Sequence, residues 1–146
     1  MTKKIYKARN SKYTDAQAQI FGEEISSIIK KYGKSTPPLL LKEAKDKDSK
    51  LHDYFEWDNS KAGEKYRLQQ AREIHQAVVE VVVTEQNKKV EVRSFQSVRS
   101  PKGEPIYVTV EDAMTKESYK KQLLKKMYST LHNLMEMIEI FLKYEK

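Results

Sequence analysis

Ile20, Phe21, Ile25, Ile28, Ile29 and Tyr32 recur at intervals of one turn among charged and polar residues, the spacing of one buried helix face. Thr14 or Asp15 precedes this stripe as a capping residue and Gly33 follows it, so the pattern predicts a first helix over 15–32. Ser35 or Thr36 followed by Pro37 and Pro38 is a second start signal, because proline suits the first helical turn. Leu39, Leu40, Leu41 and Ala44 give that short helix its apolar side, and the polar run Lys45-Asp46-Lys47-Asp48 closes it. Ser49 then opens a third short segment with Leu51, Tyr54, Phe55 and Trp57. Asp58, Asn59 or Ser60 offers a cap for a longer helix running through Tyr66, Gln70 and Ile74 and stopping near His75.

From Ala77 the period changes. Val78, Val79, Val81, Val82 and Val83 are β-branched and favour a strand. Glu85 to Lys88 reads as a turn, after which Val90 and Val92 alternate with Glu91 and Arg93. Phe95 lies three residues after Val92, so a bulge near Arg93-Ser94 would return it to the apolar face. Ser100-Pro101-Lys102-Gly103 is a second turn, and Ile106, Val108 and Val110 form a third strand. A short helical turn over 109–114 and a cap at Thr115 introduce the last helix. Its residues Tyr119, Leu123, Met127, Leu131, Leu134, Ile138 and Phe141 recur by three and four, and Leu124, Tyr128, Met135, Ile140 and Leu142 widen the stripe. The expected fold is α+β: a helical N-terminal half open to a helix-turn-helix-like reading, a three-stranded antiparallel meander and a long C-terminal helix. Residues 1–13 read as a basic flexible arm and 14–146 as a single α+β domain.

Charge sharpens this picture. Residues 1–13 contain Lys3, Lys4, Lys7, Arg9 and Lys12 and no acid, a local charge of +5. Residues 116–146 contain seven Lys and four Glu, +3, which leaves −1 for residues 14–115 out of a net +7. Such cations suit a phosphate backbone, and they equally suit a solvated surface. The absence of cysteine excludes disulfide scaffolds and thiolate metal sites and fits a reducing, cytoplasmic setting. No apolar run approaches the roughly 20 residues needed to cross a bilayer, and the basic start lacks the apolar centre of a signal peptide.

The most distinctive string spans 51–74: Leu51-His52, then Phe55-Glu56-Trp57-Asp58, then Tyr66-Arg67 and Gln70-Ala71-Arg72. It resembles a family of small phage and prophage proteins with the same order of pairs, although Gly63 stands where a second alanine is usual. The resemblance extends loosely over 14–144, through Arg93, Phe95, Val98 and the closing helix. It implies a mobile-element setting and carries over no catalytic residue. Physically, the string reads as a structural lock between the helical half and the sheet, with Trp57 and Phe55 buried and Glu56 or Asp58 capping a helix or accepting bonds from Arg67 or Arg72.

Candidate chemistry is sparse. There is no phosphate-binding glycine loop, zinc-protease motif, nucleophile elbow or paired carboxylate motif of the nuclease kind, so no enzyme and no cofactor is expected. His52 and Glu56 are four apart, but two groups are too few for a metal site. Two functional readings follow. In the first, the protein is a DNA-binding regulatory or accessory protein. Segments 15–32, 36–45 and 49–56 form its head, Lys3, Lys4, Lys7, Arg9 and Lys12 meet phosphates, and Lys42, Lys45, Lys47 and Lys50 position the head on the duplex. In the second, it is an interaction module, an adaptor, inhibitor or assembly component that offers its sheet or apolar last helix to a host or phage protein. A homodimer through the C-terminal helix fits both.

Overall fold

The computed structural model describes residues 3–61 and 63–144. The chain divides into two compact units, Met1–Val110 and Glu111–Lys146, where the sequence suggests one domain behind an arm. The architecture is α+β.

In the first unit, helix α1 (Asp15–Tyr32) starts at a reciprocal cap: the Thr14 hydroxyl accepts from the Gln17 N–H at 3.1 Å, and the Gln17 side chain accepts from the Thr14 N–H at 2.9 Å. Gly33 ends it at φ 77°, a left-handed geometry that costs glycine little. Helix α2 (Pro37–Ala44) is capped by Thr36, whose hydroxyl accepts from the Leu39 N–H. Of the third segment, only a single 3-10 turn forms, His52–Tyr54. Helix α3 (Glu64–Gln76) begins later than the expected caps because those residues are occupied elsewhere. Asp58 accepts from Ser60, and the Asn59 side chain accepts from Arg67. Phe21, Ile25, Leu40, Leu41, Leu51, Phe55, Ile74, Val78 and Phe95 share one core.

Strand β1 (Lys7–Ala8) pairs with β2 (Val78–Val83), which pairs with β3 (Lys89–Arg93), giving a three-stranded antiparallel sheet. Strands β4 (Phe95–Arg99) and β5 (Pro105–Thr109) form a hairpin of their own. The irregularity expected at Arg93-Ser94 is the point where the chain passes from one sheet to the other. The Ser94 N–H donates to the Val78 carbonyl at 3.1 Å, and the Ser94 carbonyl accepts from the Val110 N–H at 3.0 Å. Ser94 is buried, and the step turns Phe95 into the core.

The expected flexible arm is instead fastened down. Tyr6 is only 5% exposed, its N–H donates to the Gln19 side chain at 2.9 Å, and its hydroxyl meets Ser26 Oγ at 2.8 Å. Its ring stacks on Phe95 and lies over Gly22, where an added Cβ would come within 2.3 Å of it. Further bonds run from the Ala8 N–H to Asp15, from the Arg9 N–H to the Ala77 carbonyl, and from Gln19 to the Lys4 carbonyl. Burying a side chain of this size contributes about 1.5–3 kcal/mol, and the hydrogen bonds add to it against the cost of ordering the segment.

In the second unit, α4 (Val110–Thr115) leads to α5 (Glu117–Lys143). Thr115 does not cap α5; its hydroxyl donates back to the Glu111 carbonyl at 2.9 Å. α5 has no buried residue. Among the described residues, no helix is long and apolar enough to cross a membrane.

Candidate functional site

The five cations of 3–12 are not equivalent in the folded chain. Lys3 pairs with Glu23 at 2.9 Å, Lys4 with the buried Glu80 at 3.2 Å, and Lys12 with Glu73 at 2.6 Å. Gln19 first and then Lys3 hold the Glu23 carboxyl below its usual range by hydrogen bonding, and the charge of Lys50 acts in the same direction. Lys7 and Arg9 have no carboxylate partner among the described residues. Lys3, Lys4 and Lys7 line a cleft of about 450 Å³ together with Lys89 of β3, with Glu80 and Val81 also in its wall.

Two cations of this surface escaped the sequence reading, Lys89 and Arg93. Arg93 is half-buried, its Nε has no partner among the described residues, and burial and then the neighbouring Arg9 charge lower its pKa. The signal was present in the alternation Lys89, Glu91, Arg93, which puts all three on one side of β3.

The remaining head cations do not join this group. Lys42 stands 5.8 Å from the Tyr32 ring centre, and Lys45 and Lys47 are exposed in the turn after α2. Acids interleave with them: Glu24, Glu43, Asp46 and Asp48 line a neighbouring cleft of about 220 Å³. The Tyr32 hydroxyl and then Lys31 hydrogen-bond Glu43 and keep its carboxyl low. This face is mixed in sign and suits no continuous run of phosphates.

The 51–74 string is a clamp inside the helical half. Trp57 stacks on His52 with ring centres 4.8 Å apart and donates to the His52 carbonyl at 2.7 Å. The buried Arg67 sits 5.5 Å from the Trp57 ring and donates to the backbone carbonyls of Glu56 and Trp57. Arg67 thus fills the expected role, but on carbonyls rather than on the Glu56 or Asp58 carboxylates. His52 Nδ1 is taken up by the Ala44 carbonyl at 2.8 Å.

The contact between the helices and the β4–β5 hairpin falls elsewhere, at a trio the sequence reading missed. Ser35 and Tyr107 exchange two backbone hydrogen bonds, of 3.0 and 2.7 Å. The His75 ring stacks on Tyr107 at 4.1 Å, and its Nε2 lies 2.7 Å from Ser35 Oγ. His75 Nδ1 faces the Ala71 carbonyl at 2.8 Å; a carbonyl only accepts, so this nitrogen carries the proton and Nε2 accepts from Ser35. Burial pushes the His75 pKa down to about 4. Ser35 and His75 are both fully enclosed, so the pair acts as a structural bond, not as a nucleophile and base open to a substrate. Beside Tyr107, an open cleft of about 640 Å³ is lined by Thr36, Pro37, Leu39, Leu68 and Arg72, with the Lys34–Glu104 ion pair at its wall.

On α5, Met127, Tyr128, Leu131, Leu134, Met135, Ile138, Phe141 and Leu142 are each at least half exposed. Its first half is basic, through Lys116, Lys120, Lys121, Lys125 and Lys126.

No protein family, curated protein or solved structure matches the chain. The functional reading therefore rests on these surfaces.

Proposed function

We propose that the protein is a phage-type, non-enzymatic interaction module that docks on protein through α5. The observation that carries this reading is the apolar stripe of α5, eight large side chains at helical spacing, each at least half exposed. Contiguous apolar surface of this kind marks a protein interaction site. The basic segment supports DNA binding less than its composition implies, because folding gives Lys3, Lys4 and Lys12 intramolecular carboxylate partners.

Nucleic-acid binding remains the second reading, supported by the four-lysine cleft and the Arg9–Arg93 pair. Salt separates the two, since phosphate contacts release counterions and apolar docking does not. The test is a titration of labelled duplex and single strands at low and high salt, run beside sedimentation of the intact chain and of Leu131→Glu/Ile138→Glu. The interaction reading expects weak nucleic-acid binding and an association state that changes with the α5 substitutions. Tight, steeply salt-dependent duplex binding that is indifferent to those substitutions would overturn it and give the cleft the function.

A further inference from the structure

The spacing along α5 identifies what covers it, an inference that rests on the docking reading above. Leu124, Met127, Leu131, Leu134, Ile138 and Phe141 follow one another by three, four, three, four and three residues, an unbroken heptad seam. All six are between 40% and 72% exposed. Tyr128, Met135 and Leu142 widen the seam on one side, each one residue after a member of it.

We infer that the partner on this seam is a second copy of the chain, with the two α5 helices antiparallel. Two observations favour this. The first is that the seam reads the same in both directions about a point between Leu131 and Leu134. Reversing one helix places Leu124 beside the second copy's Phe141, Met127 beside its Ile138 and Leu131 beside its Leu134, leaving no position unmatched.

The second is charge. Lys125, His132 and Glu139 lie seven apart, three residues before Tyr128, Met135 and Leu142, and so border the widened side of the seam. In the antiparallel arrangement each Lys125 meets the Glu139 of the other copy, twice per dimer. In a parallel pair this edge of one helix lies on the opposite side of the seam from the same edge of the other, so Lys125 and Glu139 gain no partner across it. His132 bonds Glu136 of its own helix at 3.2 Å. The apolar face is also extensive. Nine large apolar side chains, each at least 40% exposed, lie along this face, and a standard interface of about 800 Å² per partner is built from roughly 20–30 residues a side around such a core.

The test uses the intact protein, sedimented from micromolar to millimolar concentration. The expected species has twice the 17.2 kDa chain mass. Lys125→Glu alone and Glu139→Lys alone should each weaken association by several-fold, and the double exchange should restore it. Both positions are exposed on α5, so the variants keep the fold. Because the chain has no cysteine, Lys125→Cys and Glu139→Cys chains can be mixed and joined with a short bismaleimide. Mixed dimers support the antiparallel register; like-with-like products, or no cross-link at all in a protein that sediments as a dimer, overturn it. A monomer at every concentration that still binds an apolar dye, with the dye lost in Leu131→Glu/Ile138→Glu, overturns the second copy and leaves the docking reading standing. A monomer without dye binding overturns both.

Discussion

Acidification should unlock the first unit at His75. The imidazole has an ordinary pKa of 6.5 in the unfolded chain and one of about 4 in the folded protein, because burial disfavours its charged form. The neutral form is the one that fits, with Nδ1–H on Ala71 and Nε2 accepting from Ser35. A depressed folded pKa contributes stability that is fully present above pH 6.5, declines as pH falls from 6.5 toward 4, and is flat below that. A separation of about 2.5 pH units at 1.36 kcal/mol each amounts to roughly 3 kcal/mol, a large share of the stability of a small domain. Carboxylates titrate in part of the same window, so the comparison must be internal. Urea unfolding of the wild type and of His75→Gln, from pH 7.5 to 4, should give curves that converge by about 3 kcal/mol as pH falls. The imidazole resonance of His75 should titrate with a midpoint near 4. Parallel stability curves, or a midpoint at its ordinary value, would refute the argument that this ring is closed off and neutral.

Two further substitutions probe the other joints. Gly22→Ala places a Cβ inside the Tyr6 ring and should cost about 1–3 kcal/mol, with faster amide exchange at Ala8 and Arg9 as the segment loosens; an unchanged melting temperature would contradict the packing. Arg67→Met removes the donors to the Glu56 and Trp57 carbonyls and should cost roughly 2–3 kcal/mol in denaturant unfolding; Trp57, the only tryptophan, reports the change by its fluorescence, and no loss of stability would remove the clamp.

The parts of the fold legible in the sequence are those whose signals are local. Thr14, Gln17 and Gly33 fix both ends of α1 without reference to the rest of the chain, and Thr36 with two prolines fixes the start of α2. The start of α3 was misplaced because Asp58, Asn59 and Ser60 are good caps used for other bonds, while Gly63 begins the helix with no side-chain cap. β1 was illegible for a different reason. Two residues of a basic stretch carry no alternation, and their partners are Val79 and Val78, far along the chain. Charge foretold which residues are cationic but not which would be paired, since Glu23, Glu73 and Glu80 reach Lys3, Lys12 and Lys4 only through tertiary folding. The Ser35–His75–Tyr107 contact likewise joins three separate elements and leaves no pattern in any of them.

β2 carries a consequence for how this protein is kept from aggregating. Val78-Val79-Glu80-Val81-Val82-Val83 has the composition of a strand that recruits copies of itself. β3 covers one edge along Val79–Val83, but β1 covers the other only at Val78 and Val79. Among the described residues no strand pairs with that edge of β2 beyond Val79, and the cations lining the cleft beside it are Lys3, Lys4, Lys7 and Lys89. Charge at an open edge, lysine above all, is how natural sheets deter edge-to-edge growth. The cleft lysines therefore protect the fold whether or not they meet a phosphate. Neutralising them should first show itself as light scattering that rises with added salt, and any binding experiment on such variants must be read after that scattering has been measured.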